Sequence, residues 1–224
     1  MTEAPPPSNL PARPRDSASL MVLREGADGI EVLMGKRGSK AVFNDVYVFP
    51  GGKVDASDRH VDHASPLDSD ILDRMSRNRR RARAFANAAI RETYEEAGLL
   101  LADAGDPGAS RNPSYRSMRE IGVAPALARL QYVGHAITPS TRPRRFNARF
   151  FLAWATEMSG ELAGSGELSD LAYVSLTEAQ TLPTVDVTRF MLREIQRREA
   201  EGFKRPDAYP FFTYRSGRRY CRYE

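Results

Sequence analysis

The stretch AAIRETYEEAGLL, residues 88–100, sets Glu92, Glu95 and Glu96 within little more than one turn of a segment that reads as a helix. Carboxylates at i, i+3 and i+4 share a helical face, and exposed like charges there repel by about 0.2–0.5 kcal/mol per pair. Either solvent screens them or a cation sits among them. Three oxygen donors on successive turns can converge on a hard divalent cation such as Mg²⁺, which takes oxygen ligands and meets its substrates through phosphate oxygens. Such a helix would present a carboxylate cradle to a diphosphate. The competing reading is a solvated acidic face.

Upstream of the triplet, VYVF (46–49) reads as a short strand cut off by Pro50-Gly51-Gly52. A Gly-Gly turn lets backbone approach a ligand closely, because no side chain stands in the way. ASLMVLR (18–24) and IEVLMGKR (30–37) are strand-like and joined by an Asp-Gly turn, which predicts a hairpin. Residues 56–76 are polar and read as an irregular excursion. From Arg77 to Ala97 the composition turns helical, and Gly98 stands where a helix C-cap glycine belongs. A second helical segment is expected around 114–130, interrupted near Gly122 and Pro125. Strands follow at 131–138, 145–156 and 171–176, then helices around 177–181 and 184–201.

This order predicts one mixed α/β domain. The expected organisation is a disordered arm over 1–16, a domain over 17–202 and a basic aromatic tail over 203–224. The chain has 224 residues, enough for one sizeable core, with 41% hydrophobic and 28% charged residues. No apolar run is long enough to cross a bilayer. A single cysteine, Cys221, cannot form an internal disulfide, so a cytoplasmic location is the expectation. The net charge of +4 favours an anionic partner. Its arginines cluster in RNRRRAR (77–83), RPRRFNARF (142–150) and YRSGRRYCRYE (214–224).

Taken together, VFPGGKVDASD (48–58) and RETYEEAGL (91–99) resemble the signature of the Nudix hydrolases: G, five residues, E, seven residues, then R-E-U-x-E-E-x-G-U with U apolar. Gly52 and Asp58 match the first half in spacing; Arg91, Glu92, Glu95, Glu96, Gly98 and Leu99 match the second. Asp58 stands in place of Glu, Thr93 occupies the first U position, and residues 59–90 fill a gap that normally holds seven. An insertion of about 59–83 within the box, with ITPSTRPRRFNARFFLAW (137–154), looks like the subgroup containing the coenzyme A and acyl-CoA diphosphatases.

The resemblance implies a Nudix fold, an α/β/α arrangement with a mixed sheet sandwiched between helices. It also implies hydrolysis of a nucleoside diphosphate linked to a group X, with coenzyme A or an acyl-CoA as the expected substrate. Mg²⁺ or Mn²⁺ would be held by Glu92, Glu95, Glu96 and a carbonyl at Gly51, with Arg91 orienting a box carboxylate. A competing role for Arg91 is a surface i,i+4 pair with Glu95. Glu167, with Glu161 as its competitor, is the candidate for a loop general base, and Asp58 is assigned no metal.

Arg142, Arg144 and Arg145 are candidates to clamp phosphate, because guanidinium groups bind it in bidentate fashion. On a strand Arg144 and Arg145 would face opposite sides, so at most one of them, with Arg142, is expected to reach the site. Arg37 and Lys53 are further phosphate contacts. Phe43, Phe146 and Tyr132 could stack on a base or pack in the core. The expected partner is a small nucleotide-diphosphate substrate, with no membrane. A homodimer is left open. Two other classes stay in view: an RNA-end processing Nudix enzyme, with nucleic acid tracked by the arginine clusters, and a non-catalytic nucleotide sensor.

Overall fold

The run Ser19–Leu23 is apolar without alternation after its serine, which suits a strand covered on both faces. In the computed structural model, which describes residues 12–38, 45–164 and 166–224, that run is the centre of β1 (Arg15–Gly26). Leu20 and Val22 point to one core, while Met21 and Leu23 point to another on the opposite face. β1 pairs antiparallel with β2 (Gly29–Arg37) through the Asp-Gly turn, but only over residues 23–26 and 29–32. Beyond that the hairpin opens like a V. Into its mouth the chain threads β3 (Tyr47–Val48), paired to β2, and β4 (Gly51–Lys53), paired to β1 at Ser17–Ser19.

Four longer strands complete the main sheet: β7 (Gln131–Ile137), β8 (Phe146–Trp154), β9 (Leu168–Ser175) and β10 (Pro210–Arg215), with β11 (Arg218–Tyr223) at the edge. The order is β11-β10-β7-β8-β1-β2-β3, with β4 on β1 and β9 on β2. β1–β8 and β10–β7 are the parallel pairs. A small antiparallel ribbon, β5 (Ala102–Ala104) with β6 (Val123–Pro125), lies apart from it.

Helices cover both faces, as expected for the α/β/α arrangement. On one side α2 (Arg79–Ala97) lays Ala82, Phe85, Ala86, Ala89 and Ile90 on the sheet, with α1 (Ser69–Met75) beside it. Its alanines allow close approach, and the Asn78 side chain caps its start by accepting from the Arg81 amide. Gly98 ends it in the left-handed conformation (φ +73°). On the other side α4 (Leu176–Ala179) and α5 (Asp186–Ala200) bury Leu176, Met191, Leu192 and Ile195. Among the described residues no helix is long and apolar enough to cross a membrane.

Several expectations need correction. The segment read as irregular contains α1, whose Ile71, Leu72 and Met75 join the core despite their acidic neighbours. The helical segment expected over 114–130 does break at Gly122 (φ +73°), but only its first part is α-helix: α3 spans Pro113–Glu120, and the chain then enters β6 and a 3-10 turn (Leu127–Arg129). Residues Arg15 and Asp16, placed in the arm, already belong to β1. The basic tail is no appendage, since β10 and β11 form a hairpin that extends the sheet and buries Phe212. Arg144 and Arg145 precede β8 rather than lying along it. Phe43 lies outside the described residues.

If the hairpin is part of the core, Phe212→Ala should cost about 3–5 kcal/mol, as for other buried aromatics. Urea unfolding of the purified protein would measure it, and a change near zero would restore the reading of a loose tail.

Candidate active site

The site is organised around a guanidinium. Arg91 retains only 2% of its side-chain surface in water, and the Asp58 side chain facing it has none. Arg91 donates from Nε to Asp58 Oδ1 (2.8 Å) and from Nη2 to Asp58 Oδ2 (2.9 Å). Its Nη1 donates to Glu92 (2.8 Å) and Glu95 (2.9 Å), and Nη2 also reaches the Lys53 carbonyl (2.9 Å). Burial disfavours the charge on Arg91, but Asp58 and the two glutamates outweigh that and hold its pKa above the ordinary value. The surface i,i+4 reading of Arg91 is therefore incomplete: the pair with Glu95 exists, but the side chain is interior.

Asp58 also accepts from the Asp55 amide (2.6 Å) and the Tyr115 hydroxyl (2.7 Å), while its own carbonyl takes the Asn87 amide (2.9 Å). Its place under the helix answers what the long intervening segment had left open. Residues 59–78 leave from Asp58, add Val61, Leu67, Ile71, Leu72 and Met75 to the core, and return into α2. None of residues 59–83 lines the groove described below.

The glutamates differ in their surroundings. Glu96 is nearly buried and accepts from the Gly51 amide (2.7 Å). Burial pushes it up to about 8, against that hydrogen bond; the charges of Glu92 and Glu167 add to the rise and Arg37 opposes it. Burial likewise pushes Glu92 up to about 7, with Arg91 opposing. Glu95 is more open and is tied to Arg91 and to the Ser114 hydroxyl (2.6 Å). Among the described residues no three His, Cys, Asp or Glu side chains stand gathered as a ready cage.

The two glycines are dictated by this crowding. Gly51 has φ +154°, and a Cβ there would stand 2.6 Å from Ser19 Cα. At Gly52 a side chain would collide with the Glu92 carboxylate. Glycine at 51 thus lets β4 pair closely with β1, and glycine at 52 leaves the Glu92 carboxylate where it stands.

These residues line an open groove of about 1880 Å³. Arg37, Gly51, Lys53, Arg91, Glu92, Glu95, Glu96, Arg142, Arg144, Arg145 and Glu167 all border it. Glu161 does not; it packs at the C-terminal end of α2, where its carbonyl faces Gly98. All three arginines of the 142–145 loop border the groove, but Arg145 donates to the carbonyls of Thr138 (3.1 Å) and Ala12 (2.8 Å). Arg142 and Arg144 are exposed. Phe146 is half-buried at the rim, whereas Tyr132 is core, edge-on to Phe151. Ser114 and Tyr115 had no sequence signal, since they reach the site from 19 and 57 residues away.

Known proteins share the overall fold. No family model matches the chain. A curated Caenorhabditis elegans protein designated nudix hydrolase 7 is 28% identical over 159 residues, covering 66% of this chain and 47% of that protein. The chain therefore spans about half the length of that relative. The crystal structure of a NUDIX hydrolase from Alicyclobacillus acidocaldarius superposes with a TM-score of 0.62 at 28% identity, covering 81% of this chain and 90% of that one. A C. elegans Ap4A hydrolase shares the fold at a TM-score of 0.50 and 16% identity, over 84% of this chain and 98% of its own. The fold is that of the Nudix hydrolases.

Removing Asp58 would leave Arg91 charged and dry. Asp58→Ala should cost about 3–5 kcal/mol, against less for Asp58→Asn, which keeps an acceptor. Chemical denaturation of both variants checks this; equal and small losses would show that the pair carries little.

Proposed function

We propose that this chain is a divalent-metal-dependent Nudix pyrophosphohydrolase, cleaving a nucleoside diphosphate linked to a second group X into a nucleoside monophosphate and phosphorylated X. The observation that carries this is the pair of buried Glu96 and half-buried Glu92, one helical turn apart beside Gly51-Gly52 in a groove bordered by Arg37, Lys53, Arg142 and Arg144. Glu92, Glu95, Glu96 and the Gly51 carbonyl are the ligands assigned to Mg²⁺ or Mn²⁺. All are oxygen donors, the kind such ions take. Two carboxylates lifted by burial toward 7 and 8 are a site that a cation would relieve, so the residues fit the group. When bound, the metal would neutralise the diphosphate and acidify an attacking water.

The chain's own residues have separable tasks. Arg91 is a positioning residue: fixed from beneath by Asp58, it holds Glu92 and Glu95 by one nitrogen. The Gly51 amide holds Glu96 toward β4. Glu167 is assigned as general base, because it borders the groove and its charge acts on Glu96. Arg142 and Arg144 are assigned to phosphate recognition, with Arg37 and Lys53 beside the carboxylates. Arg145 is better assigned to holding the loop, given its two carbonyl partners.

For X we favour a coenzyme A or acyl-CoA type substrate. The support is the likeness of the 137–154 segment to that subgroup and a groove larger than the about 300–1,000 Å³ of an ordinary small-molecule pocket. Incubation with Mg²⁺ and coenzyme A, acyl-CoA, ADP-ribose, NADH, diadenosine polyphosphates and capped RNA, with product analysis, tests the substrate. Glu95→Gln and Glu96→Gln should each lower monophosphate release by more than about 100-fold and weaken Mn²⁺ binding by calorimetry. Full activity in both variants would overturn the site. Arg142→Ala and Arg144→Ala should raise KM more than they lower kcat, as loss of binding shared by ground and transition states does.

A further inference from the structure

Two of the arginine clusters that stand far apart in the sequence, RNRRRAR and the C-terminal YRSGRRYCRYE, come toward one region of the fold. In β10, Phe212 and Tyr214 face the α5 side, so Phe211, Thr213 and Arg215 face the other way. Pairing puts Arg222 beside Phe211, Tyr220 beside Thr213 and Arg218 beside Arg215. β7 continues this surface with His135 beside Phe211. Phe211 and Tyr220 join neither core, and Arg215, Arg218 and Arg222 are exposed.

The side chains are already ordered as a platform. The His135 and Phe211 rings stack at 4.6 Å and 33°. The Arg215 guanidinium lies 3.9 Å over the Tyr220 ring, and that of Arg222 lies 5.4 Å over Phe211. His135 is neutral: burial, helped by Arg149, Arg222 and Arg81, pushes it down to about 3. Its ring is a flat surface rather than a charge. Arg81, from the other cluster, is held at the near edge by Asp16, which also takes the Asn147 amide that borders His135.

The cations are incompletely neutralised. Arg222 pairs with Glu224 (2.6 Å), but Arg215 and Arg218 make no ion pair among the described residues. By contrast, Arg219 on the opposite face is occupied by Asp186. Alternating rings and guanidinium groups on an uncovered sheet are the chemistry that takes unpaired bases by stacking and their phosphates by charge. A second copy pairing along β11 about Tyr220 would set Arg218 against Arg222, which share a face, and the like charges oppose that.

We propose that the face formed by His135, Phe211, Tyr220, Arg215, Arg218 and Arg222 binds single-stranded nucleic acid. This site lies on the opposite side of the sheet from Ala148, Phe150 and Phe212, which line the groove. It does not depend on the hydrolytic reading.

The test is fluorescence anisotropy of the full chain with 3′-labelled single-stranded RNA and DNA of about 16 nucleotides, within the range one such platform covers. Binding should weaken with salt, and Arg215→Glu and Arg218→Glu should each reduce both affinity and the slope of log K against log salt by about 0.7. Tyr220→Ala should weaken binding about tenfold with the slope unchanged. The duplex of the same sequence should bind more weakly than either strand. Comparison of RNA with DNA tells which sugar is preferred, and either preference upholds the platform. Unfolding midpoints confirm that each variant is folded; Arg218, exposed and without an ion pair, keeps the test valid if Tyr220→Ala unfolds the hairpin. No binding at low salt overturns the proposal. So does displacement by poly-glutamate at equal charge with Tyr220→Ala inert, which would mark the face as a dock for acidic polypeptide.

Discussion

Arg91 is a full positive charge with almost no surface in water, and such a charge is tolerated only when fixed acceptors replace its hydration. Asp58 supplies two of them, the Lys53 carbonyl a third, and two glutamates the rest. That requirement dictates the neighbourhood. Asp58 must be brought under α2, so the chain leaves β4 and turns immediately in a short 3-10 helix (Ser57–Arg59). The Lys53 carbonyl must point inward, so β4 must lie against the helix. Glycine at 51 lets β4 sit tightly on β1 there, and glycine at 52 leaves room for the Glu92 carboxylate. The carboxylates bordering the groove thus inherit their positions from a charge buried behind them.

The same arrangement shows why rigid and open parts are adjacent here. Glu92 is held by the Arg91 guanidinium and Glu96 by the Gly51 amide, while Glu95, Arg142 and Arg144 keep more of their surface in solvent. A site of this kind has a preorganised floor and an adaptable rim. Binding energy from a substrate can then be spent on the rim without distorting the floor.

How much of this is legible in the sequence depends on the range of the interaction. α2 and its glycine cap are local, written in a helical composition and one left-handed residue, and they emerge within two residues at the start and none at the end. Strands β1, β2, β3, β7, β8 and β9 are visible as apolar runs, whereas β4, β5 and β6, three residues each, are too short to show a period. α1 is masked by Asp68, Asp70 and Asp73, which look like loop composition but serve to cap it and pair with arginines. In the tail, Phe212 and Tyr214 alternate with Phe211 and Arg215, yet the arginines dominate the stretch. Tyr115 and Ser114 are invisible for another reason: nothing local marks a hydroxyl that finds its acceptor through tertiary folding. The arginine run at 77–83 likewise looks free until Arg79 and Arg81 are seen paired with Asp73 and Asp16.

The clasp between Asp58 and Arg91 has a consequence for the length of chain between them. Because its two ends are pinned to each other by a buried ion pair, the intervening segment is a closed loop. The entropy of closing such a loop grows only with the logarithm of its length, about 0.6 kcal/mol for each doubling. Here residues 59–78 alone contribute five apolar side chains to the core, which offsets part of that cost. The carboxylates do not register how long the detour is. That position is therefore a graft point, where a lineage could lengthen, shorten or replace sequence while the chemistry on the far side of the clasp stays in place.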